Sequence, residues 1–487
     1  MDGFPIELSV YARFLHAGRA ANSILREDRA SAPPSELLLQ QIWLHQRFDR
    51  DSVRLTDGRR VQVLHPGFWN RAAGPDFQKA LVRFEQQPPF SGDVEIDLEA
   101  SSWMGHGHQQ NPLYKRVVLH VIWSEPSSAR APSHPATLVL KPLLDSPLEE
   151  LRRWLVEAPE HPACMAGKCQ GPLATLDESQ ARALLREAAA VRCQAKAQAI
   201  TARSRTVGWE QALWEALFAG LGYKANVWPM KRLAELRSEW QPLCLPERDR
   251  ETIEAILLGM SGFLPVEPDR LEGQAASKAR ALWQHWWRHR DSLSEIALPR
   301  SAWSLRGVRP SNHPQRRLAV AAGWISNPQL CSAVETWVQS LSGDEKEGPL
   351  RRLGEILDPE TENFWHQQWS LDSGPCNLPQ RLLGRERITE LAMNAVLPWA
   401  WARAWLGGNE PMAHRVMEGY FNLPATGTNH LLRQAELRLF GGRCPWKSRR
   451  AAEQQGLLQI LRDFCLKTDA VCSECRFPEL VKEMRSG

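Results

Sequence analysis

This chain has few tyrosines, no long apolar runs and no large excess of either charge. Its 487 residues include 4 tyrosines beside 21 tryptophans, and the formal net charge is only +4. No run of about 18 apolar residues occurs, which excludes a membrane-spanning helix of ordinary length. The small net charge shows that the chain is not basic overall. Any basic surface that binds nucleic acid must therefore be a local patch. A chain of this length predicts two or three domains.

We expect no secretory leader, because Arg13, His16 and Arg19 interrupt the apolar stretches near the start of the sequence. We therefore expect a cytoplasmic protein with no membrane partner. Ten cysteines in such a chain favour free thiols or a bound metal over disulfides. Tryptophan pairs such as Trp286 with Trp287 and Trp399 with Trp401 fall in helical stretches. Core packing is the usual role there, and a stacking platform for bases is the alternative.

Acidic and apolar residues alternate along the strand-like segment 92–99. The apolar residues share one face, and the other face carries Asp93, Glu95, Asp97 and Glu99. An earlier strand-like run follows Asp76, and if residues 86–91 close a hairpin, Asp76 and Glu95 lie on neighbouring strands. Their carboxylates then form an oxygen site for Mg²⁺ or Mn²⁺. The alternative is a turn aspartate beside a solvated acidic face.

Histidines and lysines follow or flank these strands. His106 and His108 lie on a glycine-rich loop and are candidates for contact with a metal or a phosphate. His120 lies in the middle of an apolar strand, where a single histidine is more typical of a core residue. Lys79 and Lys115 are the nearby lysines.

Four motifs in this region together resemble an uncharacterised bacterial family. They are GPDF at 74–77, GDVEID at 92–97, SSWMGHGH at 101–108 and YKRVVLHV at 114–121. The resemblance extends upstream and downstream of these motifs and reaches the cysteine-rich end of the chain. The family usually has histidine where this chain has Asp97, which leaves the role of that position open. The resemblance implies no activity.

The same region resembles, more loosely, the PD-(D/E)XK nuclease core, in which a helix precedes a hairpin with Pro-Asp on one strand and Glu-x-Lys on the next. Asp76 and Glu95 fill these places, and Asp97 stands where the lysine is expected. The resemblance implies a metal site of Asp76 and Glu95, which Glu36 on the first predicted helix completes. The residue that activates water would be one of Lys79, His106, His108, Lys115 and His120.

Three cysteines near the end of the sequence, Cys465, Cys472 and Cys475, follow a predicted helix at 451–464. A Cys-x2-Cys pair is suited to one tetrahedral metal or one face of a cluster, and Cys444 is the candidate for a fourth ligand. The spacing is similar to part of the iron–sulfur loop of some DNA glycosylases, and iron–sulfur sites also occur in some PD-(D/E)XK exonucleases. We therefore expect a [4Fe–4S] cluster or Zn²⁺, and incidental buried thiols are the alternative.

These patterns together predict an α+β protein. Residues 1–150 are expected to form a PD-(D/E)XK-like α/β domain with a small mixed sheet, residues 151–176 a linker, and residues 177–487 a mostly α-helical domain that includes the cysteine-rich motif. A candidate phosphate-binding face in the helical part consists of Lys278, Arg280, Arg309, Arg316 and Arg317, and a solvated charged surface is the alternative.

The function that this sequence predicts is a divalent-metal-dependent nuclease-like protein that acts on the phosphodiesters of nucleic acid. The first alternative is a non-catalytic factor that binds nucleic acid or protein and retains a degraded site, which the missing lysine favours. A further alternative is a metallohydrolase of small phosphoesters, which would need a closed pocket.

Overall fold

The structure of this chain is a computed structural model that describes most of its residues. The described residues are 9–15, 33–50, 53–70, 74–124, 135–148, 151–152, 167–223, 225–244, 249–341, 348–358, 363–442, 444, 449–465, 472 and 475–486. Most of the predicted linker, residues 153–166, lies outside these ranges.

A mixed sheet of six strands occupies the N-terminal part of the described chain. Its strands are β1 (Val61–His65), β2 (Phe68–Trp69), β3 (Phe77–Phe84), β4 (Phe90–Asp97), β5 (Val117–Ile122) and β6 (Ala136–Val139). The spatial order is β1-β3-β4-β5-β6, with β2 paired to β3. Pairing is antiparallel from β1 to β4 and parallel from β4 to β6. The hairpin that the sequence predicts between β3 and β4 is therefore confirmed.

Helix α1 (Glu36–Leu44) packs on one face of this sheet. Ser35 caps the helix, since its Oγ accepts a hydrogen bond of 3.2 Å from the Leu38 N–H. The apolar stripe of α1 shares a core with Val94 and Ile96 of β4. Because side chains alternate along a strand, the acidic residues of β4 lie on the face opposite this core.

Helices dominate the chain after the sheet, and they confirm the predicted α+β class. A short helix, α2 (Ser102–Gly105), lies between β4 and β5. The later helices are α3 (Gln170–Leu173), α4 (Glu178–Leu221), α5 (Val227–Glu235), α6 (Arg237–Cys244), α7 (Arg250–Met260), α8 (Gly273–Leu293), α9 (Pro314–Ser326), α10 (Leu330–Gln339), α11 (Gly348–Leu357), α12 (Asn363–Gln367), α13 (Arg385–Leu391), α14 (Leu397–Leu406), α15 (Glu410–Asn422), α16 (His430–Phe440), α17 (Ala451–Ile460) and α18 (Phe477–Ser486).

The long helix α4 begins as its sequence predicts. Asp177 and Gln180 form a capping box, in which each side chain accepts a hydrogen bond from the other residue's backbone N–H. The backbone of Gly208 interrupts the helix, with φ 81° and ψ 164°. Glycine adopts this conformation without a steric penalty, so the chain bends there and continues as a second helical segment.

The prediction of a phosphate-binding face was wrong for the two arginines of α9. Arg316 is fully buried and its guanidinium donates to the carbonyls of Gln380 and Arg381, at 3.0 and 3.2 Å. Arg317 is also buried and donates to the Ser311 carbonyl at 2.5 Å. These two guanidinium groups satisfy backbone acceptors inside the protein and are not presented to solvent.

Tryptophan mainly fills the core, as its position in helical stretches predicts. The largest fully buried side chains include Trp43, Trp240, Trp324 and Trp365. Trp287 is an exception, being 56% exposed. Within the described residues, none of the helices combines the length and the apolarity that spanning a bilayer requires.

Candidate metal centre

Local backbone structure places Asp76 directly before strand β3. Gly74 has a φ of 110°, which turns the chain at this point. The Asn70 N–H donates to the Asp76 carbonyl at 2.7 Å, and the Asn70 side-chain amide donates to the Pro75 carbonyl at 3.0 Å. This turn holds Asp76 next to Glu95 and Ile96, near the C-terminal end of strand β4.

Asp76 and Glu95 lie side by side on neighbouring strands. Glu95 Oε2 accepts a hydrogen bond of 3.1 Å from the Asp76 N–H, and Asp76 Oδ2 accepts one of 3.0 Å from the Ile96 N–H. Gln40 of α1 donates to the second oxygen, Asp76 Oδ1, at 2.7 Å, and lies 3.4 Å from the carboxylate of Glu36. Helix α1 therefore contributes to the site through Gln40, which the sequence did not single out.

The acidic face of β4 is buried. The alternative prediction, that this face is solvated, was therefore wrong. Asp93, Glu95 and Asp97 are each at most 7% exposed, and Glu99 is exposed. Asp93 has a separate role, because its carboxylate accepts a hydrogen bond of 3.0 Å from the Lys79 N–H at a bulge in β3. The remaining two acids, Glu95 and Asp97, face the histidines of the β4–β5 connection.

Asp97 lies between two histidines. Its Oδ2 lies 2.9 Å from His120 Nε2, and its Oδ1 lies 3.7 Å from His106 Nδ1. His120 is completely buried, whereas the His106 side chain is 58% exposed. Ligand atoms of Asp97, His106 and His108 all lie within 4.8 Å of one another, a separation that allows one ion to bind all three. Position 97 thus lies inside the candidate centre.

His108 is a buried histidine whose ring nitrogens make no hydrogen bond with the residues that the structure describes. Its ring is buried between neighbours, stacking on Tyr114 with centroids 3.9 Å apart and contacting Trp103 at 5.3 Å. Neither ring nitrogen makes a hydrogen bond with the described residues, and Nε2 lies 3.3 Å from Glu95 Oε1. A buried imidazole of this kind is what a bound cation would satisfy.

Burial and neighbouring charges raise the pKa of three carboxylates at the centre, those of Asp76, Glu95 and Glu36. Desolvation raises the pKa of Asp76 to about 7, although the hydrogen bond from Ile96 opposes the shift. Desolvation and the charge of Asp76 raise the pKa of Glu95 to about 9. Desolvation and then the charge of Asp97 raise the pKa of Glu36. A divalent cation would reverse these shifts, because it favours the ionised carboxylates.

Burial also acts on the rings of the site, since it lowers the pKa of His108. A neutral imidazole retains the lone pair that a metal requires. The donor set of carboxylates and imidazoles therefore fits a divalent metal, and the presence of imidazole favours Mn²⁺ over Mg²⁺ within the predicted pair.

The two candidate lysines do not join this cluster. Lys79 lies on the bulge of β3 with φ 57°, and its side chain is exposed. Lys115 precedes β5 and is also exposed. Among the described residues, neither ammonium group makes a hydrogen bond or an ion pair with a residue of the centre. The bulge accounts for Lys79, because an extra residue in a strand redirects the side chains around it.

The cysteine-rich end forms a second cluster. Cys465, Cys472 and Cys475 line one small cavity, as the sequence predicts, and Cys444 does not line it. The fourth thiol at this cavity is Cys169, which lies far away in the sequence. In the sequence Cys169 forms a less specific pair with Cys164, and it was not among the predicted ligands.

Comparison with known proteins identifies a family without a known activity. No curated protein and no solved structure matches the chain significantly. A family model described as a protein of unknown function, DUF2851, matches residues 36–429. The matched range includes α1, the whole sheet and the candidate metal centre, and it ends before the cysteine-rich segment. The predicted membership of an uncharacterised family is therefore confirmed, and the chain belongs to the DUF2851 family of proteins of unknown function.

Proposed function

We propose that this protein is a divalent-metal-dependent nuclease, which hydrolyses the phosphodiesters of nucleic acid. The observation that carries the proposal is the convergence of three carboxylates and two histidines at one end of the sheet. These residues are Asp76, Glu95, Asp97, His106 and His108. A bound divalent metal supplies a water of lowered pKa and neutralises charge on a scissile phosphate.

The order of the elements supports nucleic acid as the substrate. A capped helix is followed by antiparallel strands with Asp76 and Glu95 on neighbours, the arrangement expected of a PD-(D/E)XK core. The centre is also open to solvent on the side of Glu36 and His106, both of which are exposed. An open centre suits a polymer, whereas a hydrolase of small phosphoesters would enclose its substrate.

The chain's own residues divide into two roles. His120 holds Asp97 in place at 2.9 Å, and Gln40 holds Asp76 at 2.7 Å. His106 is the candidate for proton transfer, because it is the exposed histidine at the mouth of the centre. It would take the place of the lysine that the Glu-x-Lys pattern lacks.

A non-catalytic factor remains the second candidate, and one observation favours it. Both nearby lysines are exposed and outside the cluster, while Asp97 occupies the position where the PD-(D/E)XK pattern has lysine. Such a factor would bind the metal and nucleic acid without cleaving the nucleic acid.

Cleavage of labelled single- and double-stranded DNA and RNA with Mn²⁺ tests the proposal. We expect the wild type to cleave at least one substrate and His106→Ala to be slower by about 100-fold or more. His430→Ala is the matched control, since His430 is also exposed and lies far along the chain on α16. Wild-type protein that binds Mn²⁺ by calorimetry but cleaves no substrate would favour the non-catalytic factor, and absence of both binding and cleavage would contradict the proposal.

A further inference from the structure

Four cysteines from three separate segments surround one cavity in the helical part. Cys169 immediately precedes α3, Cys465 ends the helical turn that follows α17, and Cys472 and Cys475 precede α18. The cavity is also lined by Arg438 and by the rings of Phe464 and Phe477. All four thiols are free of disulfides.

Two of the four sulfurs lie beside the backbone of Gly167. A Cβ atom on Gly167 would be 3.1 Å from Cys169 Sγ and 3.8 Å from Cys472 Sγ. The other two sulfurs are near enough for Cys465 and Cys475 to act electrostatically on Cys169. The absence of a side chain at Gly167 therefore leaves space for two sulfurs next to the backbone.

Hydrogen-bond donors are directed at these sulfurs. Arg438 Nη2 donates to Cys472 Sγ at 3.0 Å, and the Lys168 backbone N–H donates to the same sulfur. Arg438 also donates to the sulfur of Cys465. For Cys472 these donors outweigh desolvation and lower the pKa of the thiol, which favours the thiolate that binds metals. Burial raises the pKa of the other three thiols, Cys169, Cys465 and Cys475.

We propose that Cys169, Cys465, Cys472 and Cys475 ligate a [4Fe–4S] cluster. A cubane of this type takes four cysteine thiolates, and hydrogen bonds to its sulfurs tune it. This site is separate from the candidate nuclease centre and does not depend on the proposed function.

The spacing of the sulfurs favours a cluster over a single Zn²⁺. Four sulfurs bound to one zinc ion at about 2.3 Å must lie within about 4 Å of one another. Among the described residues, the group whose ligand atoms all lie within 4.8 Å of one another is Asp97 with His106 and His108, and the cysteines do not form such a group. The thiols of a cubane bind four different iron atoms, so its sulfur ligands lie farther apart than those of a single zinc ion.

The cluster would join the beginning of the helical part to its last helix. Cys169 and α3 pack in the same apolar cluster as α17 and α18, which includes Leu173, Ile460 and Leu480. Segments that are about 300 residues apart in the sequence are thus held at one point. Ligation of all four thiols would add directly to the stability of this core.

Anaerobic purification of the full chain, followed by iron, sulfide and zinc analysis, tests the proposal. We expect a brown protein that absorbs near ~400 nm and contains about four iron and four sulfide ions per chain. Colourless protein with one zinc ion per chain would overturn the cluster assignment. Protein with neither metal, even after anaerobic reconstitution with Fe²⁺ and sulfide, would overturn the site.

Two serine variants identify the fourth ligand. Cys169→Ser is expected to lose most of the iron, whereas Cys444→Ser is expected to keep it, because Cys444 does not line the cavity. Circular dichroism on both variants separates loss of the cluster from loss of the fold. Iron retained in a folded Cys169→Ser protein, or lost from Cys444→Ser, would contradict the assignment of Cys169.

Discussion

Asp97 is the residue that organises the candidate metal centre. It is 2% exposed, and its two oxygens are directed at different histidines, His120 at 2.9 Å and His106 at 3.7 Å. One of these histidines is buried and the other is open to solvent. Asp97 can therefore ligate a metal while the buried His120 fixes the orientation of its carboxylate, as carboxylate–histidine pairs do in metal sites.

Replacement of this carboxylate by an amide should weaken the centre. We expect Asp97→Asn to bind Mn²⁺ at least about 10-fold more weakly, since an anionic ligand is lost while the volume stays the same. Isothermal calorimetry measures the change. Glu99→Gln is the control, because Glu99 lies on the same segment but is exposed. Equal affinities for the wild type and Asp97→Asn would show that the metal, if bound, lies elsewhere.

The raised pKa of Glu95 predicts how stability depends on pH without metal. Its pKa rises from an ordinary 4.5 to about 9, so folding favours the protonated form. The stability that this provides is present below the ordinary pKa and is lost as the pH rises towards 9. Urea unfolding in the presence of a chelator should therefore show stability falling between pH 5 and pH 9, by at most about 1.4 kcal/mol per pH unit for this group.

Three comparisons isolate the contribution of Glu95. Glu95→Gln should reduce the decline, because an amide does not ionise, and Mn²⁺ should remove it in the wild type by favouring the carboxylate. Glu99→Gln should leave the decline unchanged. A decline of the same size in Glu95→Gln would show that another group causes it.

Sequence patterns identified part of this centre for a physical reason. Strand alternation and the hairpin between β3 and β4 are local features, and they bring Asp76 next to Glu95. Contacts that depend on packing between elements were not predictable, such as Gln40 on Asp76 or the Tyr114 ring on His108. The bulge at Lys79 is likewise set by its pairing with Asp93 and not by a local motif.

At the scale of the elements, a glycine allows the closest approach between α4 and α17. A Cβ at Gly456 would lie 2.1 Å from the Leu185 carbonyl oxygen, which belongs to the backbone and cannot move aside. We expect Gly456→Ala to lower the free energy of unfolding by about 1–3 kcal/mol, because the two helices must separate. Denaturant unfolding measures this change.

A second helical glycine provides the control for this test. Gly354 lies inside α11, where the nearest atom to a new Cβ is 4.0 Å away, on Ile388. Gly354→Ala should leave stability unchanged or raise it by about 0.5–1 kcal/mol, since alanine is the better helix former. Similar losses in both variants would contradict the close-approach explanation.

Element boundaries followed the sequence where a local signal exists. Ser35 and Asp177 mark the starts of α1 and α4 through their caps, and the start of α7 at Arg250 follows the cap at Asp249. The helical turns of π type at 392–396 and 461–465 have no such signal. They depend on the tertiary packing of long helices, which a single sequence does not display.

At the scale of the whole molecule, a buried ion-pair group joins the sheet region to the helical part. Glu235 at the end of α5 accepts from Arg50 at 2.5 Å and lies 3.4 Å from Arg232 and 3.7 Å from Lys231. Desolvation opposes these cations, yet their combined charge holds the pKa of Glu235 below its usual range. The carboxylate therefore stays ionised and paired at neutral pH.

Removal of this charge should destabilise both parts together. We expect Glu235→Gln to cost about 3–5 kcal/mol, because three cations lose their buried anion. Thermal unfolding followed by circular dichroism measures the loss. Glu239→Gln on the exposed side of α6 is the control and should change stability by less than about 0.5 kcal/mol. A sheet region that unfolds separately, with the helical part unaffected, would contradict the role of this group.

Contacts between segments that are far apart in the sequence were not predictable from the sequence. The convergence of Cys169 with the three later cysteines, and the burial of Arg316 under the carbonyls of residues 380–381, both join segments that no local pattern connects. The fold class was predictable because strand and helix periodicities are local and are segregated along the chain. The identity of the fourth cysteine was not predictable, because the sequence alone does not distinguish Cys169 from the other cysteines of the chain.

Anomalous diffraction from crystals soaked in Mn²⁺ tests the existence of the candidate centre most directly. We expect a single strong peak at about 2.0–2.3 Å from Asp97 and from the buried ring of His108, with Glu95 as a further ligand. No peak at this position at saturating Mn²⁺, with the side chains of Asp97 and His108 unchanged, would contradict the account.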